Sequence, residues 1–328
     1  MSRPLSQPSI AVLYEHPEWF KPMFEEFERR GIQVDEQLAH RHAFDPYERT
    51  SPYSLIVNRV SPSAYTRGHG GAIPYTLSYL AYLKDIGANV LNGHEAYTYE
   101  FSKARQIGLF RSLGLRHPRS RVINHASMAY GAADGLRYPV IVKPNVGGSG
   151  AGIQKFDEPE ALREAASSES LQLGIDGTAL VQEYLPPRDA SIVRVEILNG
   201  EFLYGIKLLL ESPTSFNLCP ADYCKAPNAD SDGMTDGVSD RGVPVQSFTP
   251  PDEVIEAIKR IMAAANIEVG GVEYLVSDRD GEVYYYDVNA LSNFVADAPN
   301  VIGFDPFPRL VDYVLARAGV PNGVLEHV

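Results

Sequence analysis

The stretch Lys143–Gly152 reads KPNVGGSGAG, and it follows the apolar run Val140–Val142, which predicts a buried strand. A lysine at the end of a strand, followed by a glycine-rich segment, favours anion binding, because glycines let backbone N–H groups surround a phosphate. The sequence contains neither a Walker motif, GxxxxGK[ST], nor a GxGxxG turn that opens a helix. The stretch is therefore either a phosphate-binding loop of another kind or a flexible surface turn.

The composition narrows the class of protein. The chain has 328 residues, 44% of them hydrophobic, and a formal net charge of −13. Such a length and composition predict about two globular domains with a large core. The negative charge, without a run of lysine and arginine, disfavours nucleic acid and membrane surfaces as partners. No apolar run approaches the roughly 20 residues of a membrane span, and no signal peptide pattern opens the chain. We therefore expect a soluble, cytoplasmic protein.

Strand and helix patterns alternate along the first part of the chain. The apolar run Ile10–Tyr14 is followed by a helical pattern over Pro17–Arg30, and a second helical pattern covers Pro74–Ile86. This alternation predicts a parallel sheet in a first domain that ends near residue 95. A further helix is expected over Tyr99–Leu113.

Two hairpins are expected in the second half of the chain. Asn199–Gly200 and Asp280–Gly281 each lie between strand patterns, and both are pairs that favour two-residue hairpin turns. Between the hairpins, residues 211–248 are polar and lack periodicity, which predicts a functional lid or a disordered segment. The acidic side chains of this segment either favour a cationic amine substrate or are simply solvated. The segment Thr249–Asp252 then predicts a capping box that opens a helix.

The second hairpin brings acidic side chains together. Glu273 and Asp287 lie seven residues on either side of Asp280, so a turn centred there places them opposite each other. Such cross-strand partners share a face about 5 Å apart, and Asn289 shares that face because it lies two residues from Asp287. Facing carboxylates under apolar cover would repel each other, and Mg²⁺ would remove the repulsion through oxygen ligands. The alternative is a solvated face with ordinary surface acids.

Five segments in this order resemble the ATP-grasp ligases, and most of all their RimK-type, glutamate ligase-like branch. D-alanine–D-alanine ligase is a more distant relative. The resemblance covers roughly residues 99–318 and lies in the segments EFSKARQIGLFRSLGLRHPRS (100–120), VIVKPNVGGSGAGI (140–153), LVQEYL (180–185), GGVEYL (270–275) and YYYDVNALSNF (284–294).

The resemblance implies an α/β (α+β) architecture, the ATP-grasp fold. It would comprise a Rossmann-like pre-ATP-grasp domain over residues 1–98, a subdomain with the glycine loop and the adenine hinge over 99–185, and a subdomain with the metal site over 186–328. The lid would cover 211–248, and the two ATP-grasp subdomains would sandwich ATP.

The resemblance also implies an activity, an ATP-dependent ligation of a carboxylate and an amine. The reaction would pass through an acyl phosphate, release ADP and phosphate, and require Mg²⁺, with Mn²⁺ as an alternative. The substrates would be a small-molecule or peptide acid and an amine, and the oligomeric state stays open, a homo-oligomer included. Two alternatives are a regulatory module that binds ATP without chemistry and a kinase that stops after phosphorylation.

Site residues follow from the resemblance position by position. Those implied to contact ATP are Lys103 and Lys143 at the phosphates, Gly147, Gly148, Ser149 and Gly150 over the β- and γ-phosphates, Gln182, Glu183, Tyr184 and Leu185 at adenine, and Asp189 at the ribose. Those implied to act on the reacting groups are Glu273, Asp287 and Asn289 as Mg²⁺ ligands, Arg194 and Lys207 at the transferring phosphoryl group, and Asn217 in the lid. The chain departs from the branch at Ser215, where an arginine is common near the reaction centre, and this leaves the acceptor substrate open.

A last group of candidates lies in the first domain. The segment VNRVSPSAYTRGHGG (57–71) places Arg59 just after a strand and places Arg67 and His69 in a glycine-rich loop. Ligands of parallel sheets bind beyond the carboxyl ends of the strands. We therefore expect Arg59, together with Arg67 and His69, to hold a substrate carboxylate. The alternative is a solvated loop with incidental arginines.

Overall fold

The structure, a computed structural model, describes residues 9–148, 150–210 and 244–320. Its first sheet is parallel and has the strand order β2-β1-β3-β4. The elements of this part are β1 Ile10–Tyr14, α1 Pro17–Arg29, β2 Val34–Leu38, β3 Leu55–Arg59, α2 Ala72–Asp85 and β4 Val90–Leu91. Helix α1 covers one face of the sheet and α2 the other, as expected for a parallel sheet with buried central strands. The parallel sheet expected from the alternation is confirmed.

The helix expected over Tyr99–Leu113 is in fact two helices, α3 His94–Phe101 and α4 Lys103–Ser112. Ser102 separates them in an extended conformation, and its Oγ accepts a hydrogen bond from the backbone N–H of Arg105 at 3.4 Å. A serine in this position caps the N-terminus of the second helix. Lys103 is therefore the first residue of a helix.

The second sheet is antiparallel, with the strand order β5-β8-β6-β7. Its elements are β5 Ser120–Ile123, α5 Ala129–Ala132, β6 Val140–Pro144, β7 Gln154–Phe156, α6 Pro159–Ser167 and β8 Ala179–Glu183. Val140 and Val142 pack under α6 in an apolar cluster. Because side chains alternate along a strand, Ile141 and Lys143 point from the opposite face.

The third sheet is also antiparallel, with the order β11-β10-β9-β12-β13. Its strands and the remaining helices are β9 Ser191–Leu198, β10 Glu201–Leu209, β11 Val245–Ser247, α7 Asp252–Ala264, β12 Val269–Val276, β13 Val283–Asn289, α8 Ala298–Ile302 and α9 Phe307–Arg317. Asn199 and Gly200 have φ angles of 53° and 73° and form the hairpin turn that the sequence predicts.

The capping box expected at Thr249–Asp252 is wrong. Helix α7 begins at Asp252 after Pro251, and no side chain caps its first turn. The apolar stripe of this helix is nevertheless buried as expected, with Val254, Ile258 and Ile261 packed against β9 and β12. Within the described ranges, no helix is long and apolar enough to cross a membrane.

Candidate active site

One face of the third sheet carries the acidic side chains. Glu273 on β12 pairs with Asp287 on β13, as the sequence predicts, and Asn289 pairs with Gly271. A register shift between Glu273 and Tyr274 produces this pairing, because nearer the turn Tyr274 pairs with Tyr285. On the other side of β12, Arg194 of β9 pairs with Glu273. Gly271 must lack a side chain, because a Cβ there would lie 2.7 Å from Glu196 Oε1 and 3.1 Å from Arg194 Nε. The sheet thus presents one arginine and three possible oxygen ligands side by side.

The donor set of this face fits a hard divalent cation. Burial raises the pKa of Glu273, and the neighbouring Asp287 raises it further, while Arg194 Nη1 lies 3.2 Å from Glu273 Oε1 and counters this in part. Among the described residues, Asn289 Nδ2 has no hydrogen-bond partner. The two ends of an amide exchange places by rotation, so Asn289 can present its oxygen to a cation. Carboxylate and amide oxygens are what Mg²⁺ prefers.

Lys103 reaches this face from the first turn of α4. Its Nζ lies 2.5 Å from Asp287 Oδ1. Burial disfavours the charged form of Lys103, but the Asp287 carboxylate outweighs burial and raises the pKa of the lysine. The start of α4 is fixed by Asn145, whose backbone oxygen accepts from the N–H of Lys103 at 3.2 Å and whose Oδ1 accepts from that of Ala104 at 2.9 Å. The glycine segment that follows β6 is therefore tied to the helix that carries Lys103.

Lys143 reaches the same space from the second sheet. Burial of the side chain and, to a smaller extent, repulsion by Lys103 lower its pKa to about 8. Beyond it, Gly147, Gly148 and Gly150 line the cavity between the second and third sheets. A Cβ on Gly148 would lie 3.1 Å from Ser63 Cβ, so the glycine segment packs closely on the loop after β3. Ser149 lies outside the described residues.

The predicted hinge lies along one wall of this cavity. Gln182, Glu183, Tyr184 and Leu185 all line it. The backbone is held in place because the N–H of Glu183 donates to Arg119 O and that of Tyr184 donates to Pro139 O, both at 2.9 Å. Apolar side chains from both sheets complete an apolar slot beside the hinge: Ile141, Ile153, Ile192 and Leu275.

Two predicted residues lie elsewhere. Asp189 is exposed and does not line the cavity. Lys207 points away from the face of Arg194, because β10 contains a bulge between Phe202 and Tyr204 that pairs Arg194 with Ile206. A hairpin without the bulge would have placed Lys207 on the face of Arg194, since one inserted residue inverts the faces of a strand. The Nζ of Lys207 instead lies over the ring of Phe248, 5.6 Å from its centre. Asn217 falls outside the described residues.

The residues expected to hold a substrate carboxylate are engaged within the protein. Arg59 is fully buried and donates to Ser292 O. Arg67 forms an ion pair with the buried Glu15, and His69 Nδ1 lies 2.5 Å from Glu15 Oε1. None of the three lines the cavity. In this geometry their charged ends have partners inside the protein, so a contact with a substrate carboxylate would require these partners to be exchanged.

Sequence reasoning missed Glu100. This carboxylate lines the cavity and accepts from the backbone N–H groups of Ala290 and Leu291, the latter at 3.3 Å. Its removal from water raises the pKa of Glu100 to about 7, and the nearby Asp287 adds to the shift. The only signal was its position one turn before Lys103, which the unrecognised break at Ser102 concealed. Further missed residues that line the cavity are Trp19, Ser61, Ser63, Asn293 and Phe294.

Comparison with known sequences gives distant relatives, and no family model matches the chain. The D-alanine–D-alanine ligase of Ectopseudomonas mendocina is 26% identical over 300 residues, which cover 89% of this chain and 85% of that protein. The carbamoyl phosphate synthase large chain of Archaeoglobus fulgidus is 25% identical over 314 residues, 90% of this chain. The chain spans only 27% of the length of that synthase.

Solved structures share the whole fold at low sequence identity. The ATP-grasp ligase PsnB, complexed with a phosphomimetic variant of its minimal precursor, Mg and ADP, aligns with a TM-score of 0.64 at 17% identity, over 94% of this chain and 98% of that one. A RimK domain ATP-grasp protein of Sphaerobacter thermophilus aligns with a TM-score of 0.63 at 14% identity, over 93% of this chain and 99% of that one. At these identities the likeness concerns the fold.

Proposed function

The chain has the fold of the ATP-grasp superfamily, and on this premise we propose that it is an ATP-dependent ligase that joins a carboxylate to an amine. One observation carries the proposal. Two lysines, one arginine and three possible oxygen ligands, carried by five elements, line one cavity. Glycine backbone and apolar side chains complete its walls. Such a site suits a nucleotide triphosphate with a divalent cation, because cations neutralise the phosphates while the slot takes the base.

The proposed reaction has two steps. A carboxylate oxygen of the acid attacks the γ-phosphorus of ATP, the bond to the β-phosphate oxygen breaks, and ADP leaves. The amine nitrogen then attacks the carbonyl carbon of the acyl phosphate, phosphate leaves, and the nitrogen loses a proton. The first step makes a good leaving group from a poor one, so the protein mainly has to position the reactants and neutralise charge.

The residues of the cavity divide these tasks. Lys103 and Lys143 would contact the phosphates, and Arg194 would stabilise the charge of the transferring group. The glycine segment would cover the terminal phosphates with its N–H groups. Glu273, Asp287 and Asn289 would hold Mg²⁺, which supplies further neutralisation of phosphate charge when bound.

We further propose the RimK-type, acid–amino-acid class of ligase. The relatives support this choice, since one is a D-alanine–D-alanine ligase and a RimK domain ATP-grasp protein shares the fold. We retain 1–98, 99–185 and 186–328 as the domain boundaries, because each of the three sheets falls within one of these ranges.

A pairwise screen tests the proposal. The protein is incubated with ATP, Mg²⁺ and pairs of amino acids, phosphate release is measured, and products are identified by mass spectrometry. A ligase gives ADP, phosphate and a condensed product, whose mass identifies the acid and the amine. A stable phosphorylated amino acid without a condensed product would indicate a kinase, and ATP binding without ADP in every mixture would indicate a regulatory module.

A further inference from the structure

The residues that line the cavity include a charged group and an uncharged group, which we call its charged half and its uncharged half. Among the described residues, every charged side chain that lines it belongs to the hinge, the phosphate lysines or the acidic face with Glu100: Glu100, Lys103, Lys143, Glu183, Arg194, Glu273 and Asp287. The uncharged half comprises lining residues from the chain before α2 and from the loop after β13: Trp19, Ser61, Pro62, Ser63, Asn293 and Phe294. A ligand group in this half meets aromatic rings and neutral polar atoms.

Trp19 is fixed in the wall of the uncharged half. The side chain is 9% exposed, His16 stacks on it with ring centres 4.8 Å apart, and the guanidinium of Arg67 lies 4.3 Å from its ring centre. Arg67 is in turn held by Glu15, whose Oε2 lies 3.0 Å from Arg67 Nε. The charge of Arg67 is thus neutralised beneath the wall, and its role is to position the indole.

Phe294 is fixed in the same wall by an unusual backbone conformation. Its φ angle of 57° lies in the left-handed region, which bulky residues rarely adopt. Its N–H donates to Ser292 Oγ at 3.1 Å, and the next N–H, that of Val295, donates to Tyr204 Oη at 3.0 Å. Arg59 holds the same loop through Ser292 O. A strained residue held by several bonds at a cavity wall is typical of a ligand site.

The uncharged half adjoins the glycine segment. Ser63 lies in van der Waals range of Gly148, and Tyr65 Oη would lie 3.6 Å from a Cβ on Gly147. If the glycine segment covers the terminal phosphates, as the proposed function holds, a group in this half lies beside the phosphorus that is attacked. The attacking group is a carboxylate, so the occupant is the acid substrate rather than the amine.

We propose that this half binds the side chain of the acid substrate, and that this side chain is uncharged and apolar or aromatic. Trp19 and Phe294 form its walls. Ser61 and Ser63 also line it, and their hydroxyl groups bond to each other at 2.7 Å. The assignment to the acid, but not the preference for an uncharged group, rests on the proposed function. A carboxylate or ammonium side chain would be disfavoured, because the described residues of the subsite offer it no opposite charge to replace water.

The sequence contains a single tryptophan, so the fluorescence of Trp19 reports on this subsite alone. The protein is titrated, with Mg²⁺ and a non-hydrolysable ATP analogue present, with both enantiomers of phenylalanine, leucine, glutamate and lysine. We expect a saturable change with phenylalanine or leucine, at an affinity at least about tenfold higher than for glutamate or lysine. Equal or tighter binding of the charged amino acids, or no response to any of the eight, overturns the proposal.

Variants assign the response to the wall. Phe294→Ala should weaken phenylalanine binding by at least about tenfold, and Phe294→Leu serves the same purpose if thermal unfolding shows that the alanine variant does not fold. Tyr47→Ala is the matched control, because Tyr47 is 86% exposed and does not line the cavity. Unchanged binding in the folded Phe294 variant also overturns the proposal.

A second readout separates this inference from the proposed function. Hydroxylamine, a small nucleophile, replaces the amine and converts an activated acid into a hydroxamate. Saturable fluorescence with phenylalanine but no hydroxamate or ADP from any acid would support the subsite and contradict the ligase. Hydroxamate from glutamate or lysine only would support the ligase and overturn the subsite.

Discussion

At the scale of single residues, Lys103 and Lys143 line the same cavity, but their pKa values shift in opposite directions. Lys103 sits 2.5 Å from Asp287, and this carboxylate raises its pKa against the effect of burial. Among the described residues, no carboxylate lies within ion-pair distance of Lys143, and burial lowers its pKa to about 8, with repulsion by Lys103 adding to the shift. Lys103 is therefore a fixed charge, whereas Lys143 holds its proton weakly until an anion arrives.

Replacing Lys143 tests the phosphate interpretation of the glycine segment. Lys143→Ala should weaken ATP binding by about 1.5–3 kcal/mol, the value of a hydrogen bond to a charged group. Isothermal titration calorimetry measures the change. Lys259→Ala is the control, since Lys259 lies at the surface beside Glu201 and Glu256. An unchanged affinity in the Lys143 variant would indicate that the glycine segment is a flexible turn rather than a phosphate-binding loop.

The lowered pKa also predicts a pH dependence of nucleotide binding. The protonated form of Lys143 binds phosphate, and this form is lost as the pH rises through about 8. ATP affinity should therefore be constant below this pH and decrease above it. In Lys143→Arg the decrease should vanish, because a guanidinium stays charged throughout this range. A wild-type affinity that is flat between pH 7 and 9 (about two units around the shifted value) would contradict the prediction.

The acidic face predicts a separate effect on turnover. Asp287→Asn and Glu273→Gln keep the size of the side chain and remove one negative charge that a cation needs. Each should reduce ATP turnover by at least about a hundredfold, while circular dichroism and thermal unfolding stay close to those of the parent. Asp278→Asn in the turn of the same hairpin is the control, because that side chain is 68% exposed. Full turnover in either acidic-face variant would show that the replaced carboxylate does not bind a cation needed for turnover.

At the scale of elements, local turn chemistry was predictable and irregularities were not. The turn at Asn199–Gly200 follows from the sequence alone. The predicted pairing of Glu273 with Asp287 is present, but it depends on a register shift between Glu273 and Tyr274 that the sequence does not signal. Nothing in the sequence indicates the bulge in β10, which places Lys207 on the face of the sheet opposite to Arg194. The break at Ser102 depends on Asn145, a partner 43 residues away, whose Oδ1 accepts from Ser102 Oγ at 3.0 Å. A long-range partner of this kind cannot be found from periodicity.

The docking of α4 on the edge of β13 depends on one side chain. Gln106 Nε2 donates to Val288 O at 2.8 Å, and its Oε1 accepts from Val288 N at 3.1 Å. Gln106→Leu leaves both buried backbone groups without partners, so we expect a loss of about 2–4 kcal/mol in the free energy of unfolding. Urea denaturation measures the loss, with Gln246→Leu, an exposed position, as the control. Equal stability of the two variants would show that packing alone holds α4 in place.

At the scale of the whole molecule, the chain shares its fold with solved ATP-grasp structures that align over nearly its entire length. The sequence also indicated which elements carry the nucleotide and metal candidates. It did not indicate how the first sheet joins the others, because that junction uses buried polar groups far apart in the chain. Asn92 bonds to Val269 O and Ala290 O, both at 2.6 Å, and Arg59 bonds to Ser292 O. Two of these bonds, to Ala290 and Ser292, tie the first sheet to the segment that follows Asn289, the last of the metal candidates.

The contacts of Arg59 therefore predict that its replacement destabilises the fold rather than removes a substrate contact. Arg59→Met keeps much of the volume but removes a fully buried guanidinium and leaves Ser292 O without its donor. We expect the free energy of unfolding to decrease by about 2–4 kcal/mol. Arg121→Met at an exposed position should stay within about 0.5 kcal/mol of the parent.

The kinetic effect of Arg59→Met should follow from the loop that Arg59 holds. Ser292 precedes Asn293 and Phe294 in the cavity wall, so a looser loop should raise the KM for the acid and leave the KM for ATP nearly unchanged. A raised KM for the acid by itself does not distinguish a loosened wall from a lost contact, and the unfolding measurement does. If Arg59→Met keeps full stability and still raises this KM, then Arg59 contacts the substrate carboxylate directly, as the sequence first suggested, through a rearrangement of the first sheet on binding.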